Sequence, residues 1–162
     1  MPSAVLDTNI VIGLAKGGVF DRLAALYSPL FIPSTVRQEV ISQGPGLAGE
    51  PELSQALGAW ITEAHPAPQT VQQFSASLAA ADREVLAVAQ IEAVTHILSD
   101  DRGVYKEASR HGLTCLRSPE ILVLMKRRGL IPSVKSVLNS MRAQGYGIAD
   151  ALYDQALQVA GE

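Results

Sequence analysis

Short apolar-rich runs separated by helix-length stretches are the feature that most constrains this chain. Strands that alternate with helices in this way pair in parallel and form a sheet covered on both faces. The runs are Ala4-Val5-Leu6, Leu30-Phe31-Ile32, Trp60-Ile61, His96-Ile97-Leu98 and Thr114-Cys115-Leu116. The expected fold class is therefore α/β, with a central parallel sheet between two helical layers and no internal repeat.

The stretches between the runs carry helix signals. A helix from Asn9 to Lys16 is stopped by Gly17-Gly18, and another spans about Val19 to Tyr27. Pro33 and Ser34 follow the second run, with Ser34 as N-cap of a helix through Ile41. Gly44-Pro45-Gly46-Leu47-Ala48-Gly49 is a loop leading to a helix around Leu53 to Ala59. His65-Pro66-Ala67-Pro68 is expected to be irregular, since its prolines block both helix and central strand. Val85, Leu86, Val88 and Ala89 repeat at helical spacing and predict a helix over Ala80 to Ala93. Further helices are expected over Val104 to His111, stopped by Gly112, and from Ser118-Pro119, as N-cap and N1, to Arg128, stopped by Gly129. Two more, near Val134 to Gln144 and Ile148 to Val159, pack on the rest as a C-terminal pair over about 133–159. Residues 1–162 are expected to form one domain.

Composition narrows the function classes. Apolar residues make up 48 % of the 162, enough for a real core. The single cysteine, Cys115, excludes an internal disulfide framework and suits a reducing cytoplasm; in its apolar stretch it reads as a buried small hydrophobe. No signal-peptide pattern opens the chain and no apolar run approaches membrane-spanning length. The expectation is a cytoplasmic protein without membrane association. A net charge of −3 gives no global footprint for nucleic acid, so local basic patches would have to supply one.

Acidic residues fall where such a sheet binds ligands. Asp7 ends the first run, Glu39 lies on the first turns of the helix after the second, Asp82 and Glu84 open the strongest helix, and Asp100-Asp101 follow the run ending at Leu98. Side chains at the C-terminal ends of parallel strands project into the crevice where open α/β sheets bind ligands. Two carboxylates about 5 Å apart repel by roughly 3 kcal/mol at an effective dielectric near 20. A divalent ion turns that repulsion into a binding site, and Mg²⁺ or Mn²⁺ favours all-oxygen surroundings. The pattern points to a metal-dependent phosphodiesterase centre. Most members also have a structural alternative: Asp7 as an N-cap, Glu39 as a solvated helix residue, Asp82 and Glu84 as partners of a helix dipole. Adjacent Asp100-Asp101 right after a strand are a poor choice for stability alone. Asn9 can hold a carboxylate or the nearby backbone without adding charge.

The ordered set Val5-Leu6-Asp7-Thr8-Asn9, Pro33…Val36…Glu39-Val40, Asp82…Leu86-Ala87-Val88-Ala89 and Ser99-Asp100-Asp101 resembles the PIN-domain ribonucleases. The C-terminal half is similar to one branch, the VapC-like proteins of the DUF3368 type. The segments carrying this are Leu98-Ser99-Asp100-Asp101-Arg102, Ala108-Ser109-Arg110-His111-Gly112-Leu113, Leu124 to Ile131 and Leu138 to Tyr146. The resemblance implies a PIN-like three-layer α/β/α fold and a divalent-metal-dependent, single-strand-directed ribonuclease. It implies Asp7, Glu39, Asp82 and Asp101 as catalytic residues, with Asp7, Asp82, Asp100, Asp101 and Glu84 as candidate metal ligands and Asn9 and Ser99 in support. Ser99-x-Asp101 is similar to the family's Thr-x-Asp and favours Asp101 over Asp100. Ala81-Asp82 departs from the branch's usual Gly-Glu, which leaves Glu84 as a substitute or assistant. Implied partners are an RNA substrate, a small antitoxin protein and a second copy in a homodimer. The alternative is a catalytically silent PIN-like binding module, with the carboxylates reduced to caps.

No histidine lies in the four acidic motifs; His65, His96 and His111 read as structural or exposed. Lys126-Arg127-Arg128 suits a helix C-terminus. Arg83, Arg102 and Lys106 flank the acidic positions in sequence and are the candidate RNA contacts. At 5 % aromatic content, specificity is expected to rest on shape and backbone contacts rather than on stacking.

Overall fold

A computed structural model describes residues 1–162. Five strands form the sheet: β1 (Ala4–Leu6), β2 (Leu30–Pro33), β3 (Ile61–Ala64), β4 (His96–Leu98) and β5 (Thr114–Leu116). Their order is β3-β2-β1-β4-β5 and every pairing is parallel. The chain winds outward from β1 through β2 to β3, then returns to place β4 on the other side of β1. Between β1 and β4 the order reverses, and a crevice opens there at the strands' C-terminal ends. The register Leu6↔Leu98↔Leu116 sets the positions after these residues in one row. The row is tied by Asp7 N–H to Leu98 carbonyl (3.3 Å) and Ser99 N–H to Leu116 carbonyl (3.0 Å).

Helices cover both faces, giving the three-layer α/β/α arrangement that the strand–helix alternation predicts. One layer holds α1 (Thr8–Lys16), α7 (Ser118–Arg127), α8 (Val134–Ala143) and α9 (Asp150–Ala160). The other holds α2 (Ser34–Arg37), α4 (Pro68–Val71), α5 (Ala80–Ile91) and α6 (Arg102–Arg110). A 3-10 helix (Phe20–Ala25) and α3 (Glu50–Ala56) complete the chain. The core is continuous, with Val5, Leu6, Leu86, Ile97 and Leu98 fully buried. No helix is long and apolar enough to cross a membrane. Gly112 and Gly129 stop α6 and α7 in the left-handed region, as their positions in the sequence predict.

Several local expectations are corrected. Ser34 and Ser118 do not cap their helices: extended Pro33 and Arg117 hold the N-cap positions. Ser118 Oγ is engaged elsewhere, donating to Asp100. Pro68 opens α4 rather than preventing a helix, because the first turn has no use for its missing N–H. The helix after β2 is not continuous to Ile41; after one turn it widens into a π-helical turn, Gln38–Ser42.

The C-terminal helices are clasped to the rest at two points. Glu162 accepts hydrogen bonds from Lys126 Nζ (2.9 Å) and from the Val134 and Lys135 N–H groups at the start of α8 (2.7 and 3.1 Å). After α8, Tyr146 lays its ring against Gly13 of α1. A Cβ at position 13 would lie 2.6 Å from Tyr146 Cζ, so only glycine allows the approach. Gly13→Ala should therefore lower stability by about 1–3 kcal/mol. In a Tyr146→Ala background the same change should cost much less. Equal costs in the two backgrounds by urea denaturation would rule out the contact.

Candidate functional site

The crevice between β1 and β4 is built from chain ends that stop in register. Asp7 follows β1 and is the N-cap of α1: its Oδ1 accepts the Ile10 N–H at 2.8 Å. Its Oδ2 accepts a hydrogen bond from Ser99 Oγ, across from the end of β4. Ser99 in turn accepts the Asp101 N–H at 3.1 Å, so one buried hydroxyl sets the spacing of two carboxylates. Asp101 caps α6, its Oδ1 accepting the Val104 N–H at 2.9 Å.

A cleft of about 150 Å³ opens beside Asp7, between the start of α1, the helical segment after β2 and the start of α5; it is lined by Asp7, Asn9, Glu39 and Asp82 together with Thr8 and Val36. Glu39 reaches it from the π-helical turn and is held by Thr8 Oγ1 at 2.5 Å. Asp82, in the first turn of α5, is half-buried at the cleft wall. A larger groove, about 230 Å³, lies between α7 and α9 and is lined mainly by apolar side chains. It contains none of the strand-end carboxylates, so the smaller cleft is where carboxylate chemistry can occur.

Electrostatics sets this cleft apart. Asp7 is only 5 % exposed, and its carboxyl is pushed up to about 7. Burial is the main cause; Asp100 and Asp82 add to it, against the opposing effect of the Ser99 and Ile10 hydrogen bonds. Asp82 is raised in the same direction by burial, then by Asp101 and Glu39. No ion pair of the structure uses Asp7, Glu39, Asp82, Glu84, Asp100 or Asp101. Their hydrogen-bond donors are hydroxyls and backbone N–H groups, which orient a carboxylate without cancelling its charge. An all-oxygen set that raises its own pKa values fits a hard divalent cation by chemistry.

The structure separates the sequence candidates. Asp7, Glu39 and Asp82 share the cleft, and Asp101 adjoins it through Ser99. Asp100 lies near Asp7 but does not line the cleft: it accepts from Ser118 N–H (2.8 Å), Ser118 Oγ (3.1 Å) and Tyr146 Oη. With three donors on it, Asp100 is the more committed of the adjacent pair, and Asp101 retains the freer carboxylate. Glu84 points to Thr35 Oγ1 (2.7 Å) on α2 and does not line the cleft. Asn9 is exposed on the cleft rim; the support expected of it comes instead from Ser99 and the Ile10 N–H. No three of these side chains converge closely enough to hold an ion as they stand. Uncompensated carboxylates are expected to stand apart until a cation draws them together.

The remaining candidates resolve simply. Arg102 and Lys106 are exposed on α6, while Arg83 is partly buried, with its Nε lacking a partner. His111 packs edge-on to Phe74, and His65 and His96 lie outside the cleft. Burial and nearby carboxylates push the Cys115 thiol up to about 12, which removes it as a nucleophile. Sequence reasoning missed Thr8, Thr35, Ser118 and Tyr146. Burial and Asp100 push the Tyr146 hydroxyl well above its usual range, so it acts as a fixed donor.

A family model described as a PIN domain, the DUF3368 family, matches residues 3–162. No curated protein matches the chain.

The raised Asp7 carboxyl gives a signed expectation. Its folded value, about 7, lies above its ordinary value of 3.8, so its contribution is full below about pH 4 and lost as pH rises through 7. Without divalent metal the protein should lose stability over that range, by up to the order of 4 kcal/mol from this group. Asp7→Asn should flatten the slope. Thermal melts in EDTA across this pH range check it, and an unchanged slope in the variant would contradict the burial of a charge here.

Proposed function

The chain belongs to the PIN-domain family, and from that premise we propose that it is a divalent-metal-dependent ribonuclease acting on single strands, with residues 1–162 as one domain. PIN domains are in general nucleases that use divalent metal ions. What supports the reading in this chain is one observation. Asp7, Glu39 and Asp82 line a single cleft at the switch point of the sheet, and no basic side chain neutralises them.

On this reading Asp7, Asp82 and Asp101 hold the ion, Mg²⁺ or Mn²⁺, and Glu39 completes the acidic wall. A bound ion supplies a water of lowered pKa and neutralises charge on the attacked phosphate. Ser99 keeps Asp7 and Asp101 at fixed spacing by donating to one carboxylate and accepting from the other residue's N–H. Thr8 does the same for Glu39 by donating at 2.5 Å. Such hydroxyls orient each carboxylate, and the cation is what draws them together. Asp7 must lose its proton to bind a cation, and its raised pKa makes metal binding release that proton near neutrality.

The finer biological reading is a VapC-like toxin that acts as a homodimer and is held in check by a small antitoxin protein. Growth arrest on expression, relieved by Asp7→Asn, is the expected outcome. One observation favours the second reading, a silent PIN-like binding module: the carboxylates do not converge as they stand, and Asp7 and Asp101 both serve as helix caps. Mn²⁺ titration calorimetry with a single-stranded RNA cleavage assay separates the two. Wild type should bind Mn²⁺ and cleave, while Asp7→Asn and Asp101→Asn should each lower cleavage by about 100-fold or more with the fold intact. A folded wild-type protein that binds no Mn²⁺ would establish the silent module.

A further inference from the structure

Tyr105 is an aromatic ring that the core does not use. It retains 39 % of its surface to solvent, whereas every other Phe, Trp and Tyr is buried or partly buried. It lies one turn into α6, the helix whose N-cap is Asp101. Arg102 and Lys106 are one turn apart on the outward face, and Tyr105, three residues after Arg102, flanks them on that face. Both are exposed, and neither takes part in an ion pair of the structure. The inward face of the helix is built quite differently. Val104 and Ala108 enter the core, and Glu107 accepts the Ser75 N–H at 2.8 Å.

The ring is also held. Arg117, just beyond β5, lays its guanidinium over it at 5.1 Å from the centroid. Arg117 Nε donates to Glu120 Oε1 at 2.8 Å, which fixes the guanidinium. Glu120 offsets the Arg117 charge, so the uncompensated cations beside the ring are Arg102 and Lys106. An aromatic surface with two free cations beside it suits a ligand that has flat faces and a chain of negative charges. A protein-binding patch would instead need a contiguous apolar centre, which the charged neighbours interrupt.

We propose that Tyr105, held by Arg117, is a stacking platform for a base of single-stranded nucleic acid whose phosphates pass Arg102 and Lys106 beside the acidic cleft. The site deepens the ribonuclease reading and rests on it for the class of ligand. It gives an acidic, aromatic-poor chain one local place where stacking and backbone attraction act together. It also sets a direction: the strand leaves the cleft by way of α6, over the edge of the sheet at β5.

Binding can be measured apart from cleavage. Fluorescence anisotropy of a labelled RNA of about a dozen unstructured nucleotides, in EDTA, reads affinity alone. Tyr105→Ala should weaken binding by about 10-fold, the loss of one stacked base, while Tyr105→Phe, which keeps the ring, should stay within about twofold of wild type. Arg102→Ala with Lys106→Ala should lower the salt dependence of binding. Affinity unchanged in Tyr105→Ala, or no binding by wild type, overturns the platform. Cleavage in Mn²⁺, run in parallel, keeps the two readings distinct. Cleavage with Tyr105-independent binding removes the platform and leaves the nuclease. Tyr105-dependent binding without cleavage does the reverse.

Discussion

A carboxylate buried at the end of β1 is the constraint around which the strand ends are arranged. Asp7 sits where the apolar strand gives way to α1, with almost no solvent contact and two hydrogen-bond donors. Burying a charge there without a cation is costly, and its carboxyl rises to about 7 in response. The surrounding structure keeps it in place nonetheless. Its N–H joins the ladder to β4, its Oδ1 starts α1, and its Oδ2 receives Ser99 from the far side of the switch point. An N-cap alone would need none of the last contact, and an exposed serine or threonine would cap equally well. On the proposed function, the buried acid is a group kept ready for a cation.

Local signals were readable from the sequence, and long-range ones were not. The strands β1, β4 and β5 fall where short apolar runs predict them, and the parallel sheet follows from their alternation with helices. Asp7 and Asp101 stand out because a strand end and a helix start are both marked in the adjacent residues. The network that orders them is invisible in sequence because its partners are remote. Ser99 lies 92 residues from Asp7, Tyr146 46 from Asp100, and Thr8 31 from Glu39. Nothing near Thr8 announces that its hydroxyl will meet a helix beyond the next strand. The misplaced cap at Ser118 has the same origin, since its hydroxyl is diverted by a tertiary partner, Asp100.

The adjacent pair Asp100-Asp101 shows how the fold divides equivalent residues. Leaving β4, successive side chains point to opposite sides, and the two carboxylates meet different elements. Asp100 joins the start of α7 to the segment after α8 through Ser118 and Tyr146, and so carries the C-terminal helices to the sheet. Asp101 begins α6 and stays beside Ser99 at the cleft. Gly13 makes the first role possible by admitting the Tyr146 ring against α1.

How negative charge is distributed completes the physical picture. Elsewhere in the chain several carboxylates find cations: Glu63 has Arg37, Glu107 has Arg110, Glu162 has Lys126 and Asp150 has Arg142. At the strand ends the donors are Ser99, Thr8, Thr35, Ser118 and Tyr146, with backbone N–H groups. A hydroxyl fixes a carboxylate's direction and leaves its field intact, whereas an arginine would fix and neutralise it together. Arg102 and Lys106 follow the cleft in sequence yet are exposed on α6 and pair with none of its carboxylates. A fold that only needed caps would gain from pairing these acids with bases. One that must attract a divalent ion, and then a polyanion beside it, needs the separation seen here.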